Sequence, residues 1–106
     1  MFKITHPTTK VLIEIAENDL EPMTWEDADN ACNSLGEGWR LPTTLELDVM
    51  CKNLHASGEG NFSNSNYWSG TTSTLFKKMG AYNFERASPF ADFIGEKYVV
   101  RPVREV

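Results

Sequence analysis

The amino-acid sequence predicts one small α+β domain that covers residues 1–106. A length of 106 residues suits a single domain, because independent cores usually need about 100 to 150 residues each. Two segments with helical periodicity lie in the middle of the chain, and short segments rich in β-branched and aromatic residues lie on either side of them. The order of elements therefore mixes strands and helices within one core.

Composition excludes several classes of protein. Hydrophobic residues make up 41% of the chain, which is too many for a disordered protein, yet no apolar run is long enough to cross a bilayer. The ten Lys and Arg residues are scattered, so we expect neither nucleic acid nor a membrane as a partner. Because the N-terminus lacks the apolar stretch of a secretory signal, we expect a cytoplasmic protein, or a secreted or surface-displayed one if a leader was removed.

The N-terminal quarter predicts two short strands at residues 2–4 and 11–15, joined by a turn at His6 and Pro7. In the second segment Ile13 and Ile15 alternate with more polar positions, as in a half-buried strand. Residues 17–23 are interpreted as a polar connection.

Two helices follow, and each begins with a capping signal. Thr24 precedes Asp27 by three residues, and Gly36 is expected to end the first helix. Thr43 and Glu46 form a second capping box, which opens a helix that runs to about residue 54. The expected buried stripes are Trp25, Ala28, Cys32 and Leu35 on the first helix and Leu47, Met50, Cys51 and Leu54 on the second.

The C-terminal half predicts a long surface loop at residues 55–66, which are rich in Gly, Ser and Asn. Short strands are then expected at residues 67–69, 80–84, 90–94 and 98–103.

Charge is distributed unevenly along the chain. Eight carboxylates and no Lys or Arg lie between Glu14 and Glu37, whereas the other residues carry seven acids and ten bases. This segment predicts an acidic surface whose candidate members are Glu17, Asp19, Glu21, Glu26 and Asp29. The first three alternate, but they lack the sixth-position Gly and the distal Glu of a calcium loop, so we interpret them as a solvated acidic turn and expect no metal.

No pattern of residues indicates catalysis or a cofactor. Cys32 and Cys51 fall on the apolar stripes of the predicted helices, where cysteines behave as small hydrophobes. His6 and His55 lie in predicted loops, and no nucleophile triad, carboxylate pair or phosphate-binding glycine motif is present. We therefore expect no enzyme, no cofactor and no catalytic residue.

Several sequence blocks resemble a known family. They are MTWEDA at residues 23–28, AC at 31–32, GWRLPT at 38–43, EL at 46–47, YWSG at 67–70 and YVVRPVR at 98–104. Together they resemble the bacterial and phage DUF1566, or Lcl C-terminal-like, family. The resemblance implies a C-type-lectin-like fold related to the formylglycine-generating domains. In that fold two helices pack beside a twisted antiparallel sheet, and the N- and C-terminal strands pair.

The resemblance also bears on metal and disulfide chemistry. C-type lectins bind calcium through a Glu-Pro-Asn or Gln-Pro-Asp tripeptide and a Trp-Asn-Asp motif, neither of which occurs here, so calcium-independent binding is expected. In extracellular members of the superfamily the first-helix cysteine pairs with a cysteine in the final strand, where this chain has Pro102. Two free thiols are expected, and a Cys32–Cys51 bridge is the alternative.

Six residues are assigned structural roles from their types and positions. The indole N–H groups of the tryptophans are expected to find partners at the edge of the core, and Arg40 is expected to hold loops together through carbonyls or a carboxylate. Of the arginines in the last strand, Arg101 is expected to face the interior. The structural set is Trp25, Cys32, Trp39, Arg40, Trp68 and Arg101.

Ligand recognition is assigned to a face formed by the loops at residues 57–66, 71–78 and 86–97, displayed together on the sheet. Aromatic and adaptable polar residues of the kind found at interface centres occur there, with the core as the alternative position for aromatics such as Tyr82 and Phe84. The expected ligand-binding residues are Phe62, Asn64, Asn66, Phe76, Asn83, Arg86, Phe90 and Phe93.

The sequence thus predicts a non-enzymatic domain that binds a protein or glycan through this loop-bearing face. The alternative is a small intracellular phage or bacterial effector that inhibits a host protein, with the acidic segment 14–37 as its contact surface. The oligomeric state is left open, because exposed strand edges in small sheets can pair.

Overall fold

The computed structural model describes residues 2–106, and in this part of the chain eight strands and two α-helices form an α+β structure, as predicted. The strands are β1 (Phe2–Thr5), β2 (Leu12–Ile15), β3 (Leu20–Met23), β4 (Asn66–Thr72), β5 (Lys78–Asn83), β6 (Ser88–Phe93), β7 (Tyr98–Val100) and β8 (Val103–Glu105). The helices are α1 (Trp25–Ser34) and α2 (Thr44–Asn53), with a short 3₁₀ helix at His55–Ser57. Within residues 2–106, neither helix has the length and apolar character needed to span a bilayer.

The strands form two sheets. The smaller has the order β1-β2-β8, and its register places Ile15 opposite Val103, so the N- and C-terminal segments pair through β2. The larger has the order β3-β7-β4-β5-β6. Its pairs are antiparallel except that β4 and β7 run parallel, with Tyr67 opposite Val99.

The larger sheet carries one helix on each face. Tyr67 and Trp68 are both completely buried, and because successive strand residues point to opposite faces they enter two different cores. Tyr67 packs with α2 and the small sheet, in a cluster that includes Leu47 and Met50. Trp68 packs with α1, against Ala28 and Cys32. Both faces of the larger sheet are therefore covered, one by α1 and the other by α2, and its ends and outer edge remain available for other contacts.

Both helices begin where the capping signals indicate. The Thr24 hydroxyl accepts a hydrogen bond from the Asp27 amide at 3.4 Å. At α2, the Glu46 amide donates to Thr43 Oγ1 at 3.1 Å and the Thr43 amide donates to Glu46 Oε1 at 2.8 Å, which completes a capping box. Gly36 lies just beyond α1 at a φ of +70°, in the left-handed region that ends helices.

Three sequence predictions of local structure are wrong. Residues 20–23 are strand β3, not a polar connection, because they pair with β7 across Leu20 and Val100. The strand predicted at 98–103 is two strands, since Arg101 and Pro102 separate β7 from β8. Leu35 lies at the C-cap of α1 and is 51% exposed, so the buried stripe of that helix ends at Cys32.

The predicted structural residues hold distant segments together. Arg40 donates a bidentate pair of hydrogen bonds to the two Glu46 carboxylate oxygens, both at 2.8 Å, and a third bond to the Leu41 carbonyl. The indole N–H of Trp68 donates to the Met23 carbonyl at 2.8 Å, and that of Trp25 donates to the Ser69 carbonyl at 2.9 Å.

Two arginines near the C-terminus occupy different environments. Arg101 is completely buried, whereas the Arg104 side chain is 25% exposed. Arg104 stacks over the Trp39 ring at 4.7 Å and pairs with Glu14 and Glu37. Trp39 is thus a half-buried platform for a strand arginine.

Candidate functional site

The predicted ligand-binding residues lie at two opposite ends of the larger sheet. The strand register places Asn66, Asn83 and Ser88 side by side at one end, and Lys78 beside Phe93 at the other. Lys78 and Asn83 are five residue steps apart along β5, which corresponds to about 16 Å. The prediction that the three loops sit together on one face is therefore wrong, because successive antiparallel strands send their turns to alternate ends.

Four of the eight predicted residues meet in one groove at the first end, which we name the sheet-end groove. It encloses about 340 Å³ and is lined by Asn66, Asn83, Glu85, Arg86, Ser88 and Phe90. Glu85 and Ser88 were not predicted, although both lie within two residues of Arg86 in the sequence. A turn that displays one functional side chain commonly displays its neighbours as well, and that spacing was the available signal.

The turn between β5 and β6 holds the groove in shape. The Asn83 side chain accepts a hydrogen bond from the Arg86 amide at 2.6 Å and donates one to the Asn66 side chain at 2.6 Å. Ala87 completes the turn in the left-handed conformation, with a φ of +53°. Both Asn83 side-chain atoms are thus used to fix the turn, which leaves Glu85 and Arg86 exposed at its tip.

The groove offers a cation beside an aromatic ring. Among the contacts of residues 2–106, none engages the Arg86 guanidinium, so its five donors are available to a ligand. Phe90 is half-buried and packs edge-to-face on Tyr98, with 5.8 Å between ring centroids. This arrangement can hold an anionic group by charge-assisted hydrogen bonds while an apolar surface rests on the ring.

Two further depressions adjoin the groove and extend it along the sheet end. One shares Glu85 and is lined also by Cys51, Lys52, His55, Ala56, Asn64, Phe84 and Ala87; the other shares Asn66 and is lined by Pro22, Ser65, Lys97, Tyr98 and Val99. In the first, His55 Nε2 and Asn64 Oδ1 are 2.6 Å apart. The adjoining depressions therefore add a fifth predicted residue, Asn64, to this end of the sheet.

Phe62 is half-buried and packs at the edge of the core. Its ring packs 5.0 Å from that of Phe84 and lies 4.1 Å from the Arg101 guanidinium. Tyr82 and Phe84, for which the sequence left core and surface open, are both buried. The structure therefore does not bring Phe62 together with the residues that line the sheet-end groove.

The other two predicted aromatics, Phe76 and Phe93, are exposed at the opposite end of the sheet, at 83% and 54%. Leu75 and Ile94 are exposed beside them, at 54% and 37%, and were not predicted. We name this group of four residues the apolar tip. The signal in the sequence was the pair Leu75-Phe76 within an otherwise polar turn.

The acidic segment does not form one continuous surface. Asp19 pairs with buried Arg101, while Glu14 and Glu37 pair with Arg104, so at least three of its eight carboxylates are engaged in the fold. The interpretation of Asp19 as part of a solvated turn is wrong. Of the other predicted members, Glu17, Glu21 and Glu26 are exposed and Asp29 is half-buried.

Both cysteines are free and buried. Burial, together with the negative charge of Asp29, raises the pKa of the Cys32 thiol to about 12. Burial raises the pKa of Cys51 as well, and its thiol donates a long hydrogen bond to the Phe84 carbonyl at 3.6 Å. Across residues 2–106, no group of three or more His, Cys, Asp and Glu side chains is arranged to hold a metal ion.

Comparison with solved structures shows that the fold is C-type-lectin-like. The chain is similar to ovocleidin-17, a major protein of the calcified layer of the Gallus gallus eggshell, with a TM-score of 0.63, 17% identity and coverage of 98% of this chain and 96% of that one. It is also similar to botrocetin (TM-score 0.60, 13% identity) and to the snake venom toxin convulxin (0.59, 14%), each with 90% of both chains covered. No protein-family model and no curated protein sequence matches the chain.

Proposed function

We propose that this chain is a non-enzymatic recognition domain that binds a protein or glycan through the sheet-end groove, independently of calcium. The observation behind the proposal is the Arg86 guanidinium, which has no partner within residues 2–106 and is displayed on a turn that the Asn83 side chain holds in place. Because the turn backbone is already fixed, binding there requires no ordering of the loop, only of the Arg86 side chain.

The chemistry of the groove favours a ligand with a negatively charged group next to an apolar face. Arg86 would bind the anion, the Phe90 ring would contact the apolar face, and Asn66 and Ser88 would add hydrogen bonds. Glu85 stands beside Arg86 and would repel a second anionic group, which favours ligands with isolated negative charges.

Screening of a glycan array and pull-down from cell lysate, each in the presence of a calcium chelator, test the proposal. Arg86→Ala should weaken binding of the captured ligand by about 10- to 100-fold, because a hydrogen bond to a charged group contributes about 1.5 to 3 kcal/mol. Lys3→Ala is the matched control, since it removes an exposed cation from the small sheet. Equal binding by wild type and Arg86→Ala would show that the groove is not the site.

A second candidate function uses the acidic segment. The exposure of Glu21 and Glu26 supports the effector hypothesis, in which a bacterial or phage protein inhibits a host protein through this surface. Charge reversal of both residues to Lys should slow association with a basic partner, and high salt should do the same. Unchanged association rates in the reversed variant would exclude this surface.

We also propose that the chain belongs to the DUF1566 family. In support, three residues of the blocks that carry the resemblance form ion pairs in this structure: Arg40 pairs with Glu46, and Arg101 pairs with Asp19. A crystal structure of a bacterial or phage family member tests this. Corresponding ion pairs at the matching positions are expected, and their absence would count against membership.

A cytoplasmic location is proposed on the basis of the two unbridged, buried thiols, which suit a reducing compartment. Fractionation of the source cell, followed by detection of the protein with an antibody, tests this. Recovery in the extracellular fraction would contradict it.

A further inference from the structure

The four residues of the apolar tip come from two segments that meet at one end of the larger sheet. Leu75 and Phe76 lie in the β4–β5 turn, and Phe93 and Ile94 lie at the end of β6. The Ile94 amide donates to the Lys77 carbonyl at 2.9 Å, which joins the two segments. Four exposed apolar side chains gathered at one end of the sheet make this end a candidate contact site.

Charges of opposite sign border the tip on its two sides. On one side, the Lys77 and Lys78 amines lie 5.3 and 4.6 Å from the centres of the Phe76 and Phe93 rings. On the other side, the Trp25 amide donates to the Ile94 carbonyl at 3.2 Å, which places the first turn of α1 against the tip. That turn carries Glu26 and Asp27, both exposed. The surface thus runs from cations through apolar residues to carboxylates.

A surface of this kind is complementary to itself. A two-fold axis through its apolar centre would bring the cations of one copy against the carboxylates of the other, twice, and would bury the four apolar side chains. We propose that the apolar tip is the docking site for a second copy of this chain, in a two-fold symmetric dimer held by apolar contact and by the pairing of Lys77 and Lys78 with Glu26 and Asp27 of the partner.

Charge favours a second copy of the chain over a lipid surface as the partner of the apolar tip. The net charge of the chain is -5, and two carboxylates stand at the border of the tip, so an anionic bilayer would be repelled where the aromatic residues would have to insert. A second copy presents the opposite order of charges and meets no such repulsion. The small size of the patch predicts a weak dimer, with a dissociation constant on the order of micromolar.

The dimer does not depend on the proposed ligand function, because the sheet-end groove lies at the other end of the sheet. Both grooves would remain open and would face away from the dimer interface. A ligand with repeated units could then be held at two points, which raises avidity without new contacts.

A charge-swap experiment tests the dimer. One variant combines Lys77→Glu with Lys78→Glu, and a second combines Glu26→Lys with Asp27→Lys. Each should be monomeric alone in sedimentation equilibrium at low salt, because like charges would face each other across the axis. An equimolar mixture should recover a heterodimer, in which all four contacts are again of opposite sign. A mixture that stays monomeric while wild type dimerises would overturn the charge pairing.

Because Glu26 and Asp27 lie in the first turn of α1, their substitution could disturb the helix itself, so further variants test the dimer at positions outside α1. Phe76→Ser changes an exposed turn residue and should make the protein monomeric, whereas Leu12→Ser, at a 40% exposed position on the small sheet, should leave the dimer intact. Circular dichroism checks that each variant is folded. Wild type that remains monomeric up to the order of millimolar would overturn the proposal. Co-sedimentation with phosphatidylserine vesicles that is lost in Phe76→Ser would overturn it in favour of lipid.

Discussion

Arg101 and Asp19 form an ion pair across 82 residues of sequence, with Asp19 Oδ1 accepting from Arg101 Nε at 3.0 Å and lying 2.9 Å from Nη2. The arginine is completely buried, and its remaining donors bind the carbonyls of Ala16, Gly60 and Asn61. The second oxygen of Asp19 accepts from the Tyr67 hydroxyl at 2.7 Å. One carboxylate therefore satisfies two groups that reach it from the core.

Asp19→Ala should destabilise the protein by about 3 to 5 kcal/mol, because it leaves the buried Arg101 charge without its counterion. Such a loss is a large fraction of the free energy of unfolding of a typical domain, which is roughly 5 to 15 kcal/mol. Urea unfolding at pH 7, followed by tryptophan fluorescence, measures the change. Glu21→Ala is the control, since Glu21 lies two residues away in strand β3 and is exposed, and it should change stability by less than about 0.5 kcal/mol. Similar losses in both variants would contradict this role for Asp19.

Glu46 should make stability sensitive to acid. Burial by itself raises the pKa of the Glu46 carboxyl, but the hydrogen bond from Arg40, the Thr43 amide and the Arg40 charge outweigh it, so the net pKa is lowered from 4.5. A carboxyl whose folded pKa lies below its unfolded value stabilises the protein above the unfolded pKa. That stabilisation is lost as the pH falls through the folded pKa.

The free energy of unfolding should therefore fall as the pH is lowered below about 4.5, and Glu46→Gln should remove part of that dependence. Urea titrations of wild type and variant between pH 7 and pH 2.5 measure it. The pKa values of Asp48 and Asp92 are lowered too, so part of the wild-type slope should persist. Parallel curves for wild type and Glu46→Gln would show that the Arg40–Glu46 pair does not contribute.

The sequence predicted best what is determined locally. The capping box at Thr43 and Glu46 and the left-handed Gly36 depend on residues within one turn, so their signals are complete in a short window. The partner of Arg101 lies 82 residues away and next to other acids, and no local signal distinguishes Asp19 from its neighbours. Because charge patterning was the available signal, the sequence predicted that Asp19 is exposed to solvent.

The sequence predicted only part of the candidate site, because the rest depends on how distant segments are arranged. The sequence placed Arg86 in a surface turn and Asn83 in the strand before it, as the structure has them, but which turns share an end depends on strand register and direction. Phe76 was grouped with them because it also lies in a loop, and β5 separates the two. Phe62 was expected in a solvated loop because the segment around it is rich in Gly and Asn, but its ring covers the buried Arg101 side chain.

Gly80 should be intolerant of a side chain. A Cβ atom there would lie 2.7 Å from Ser69 Oγ and 2.9 Å from the Thr71 carbonyl oxygen, closer than real Cβ contacts. Gly80→Ala must therefore displace β4 from β5, and we expect a loss of about 1 to 3 kcal/mol. Gly95→Ala is the matched control, because nothing lies within 4 Å of its Cβ position. Thermal or urea unfolding of both variants measures the difference, and equal stability would show that the two strands separate easily at this point.

The two cysteines should be unreactive in the folded protein and both free in the unfolded one. The pKa of Cys32 is about 12, so at pH 8 only about 1 thiol in 10,000 is the reactive thiolate, and the side chain is completely buried. The raised pKa of Cys51 likewise lowers the fraction of its thiol that is present as thiolate. An aromatic disulfide reagent should therefore react slowly with native protein at pH 8, at the rate of unfolding. In urea without reductant it should titrate two thiols per chain. A titre of zero in urea would instead show a Cys32–Cys51 bridge, and rapid reaction of native protein would show that one helix opens without global unfolding.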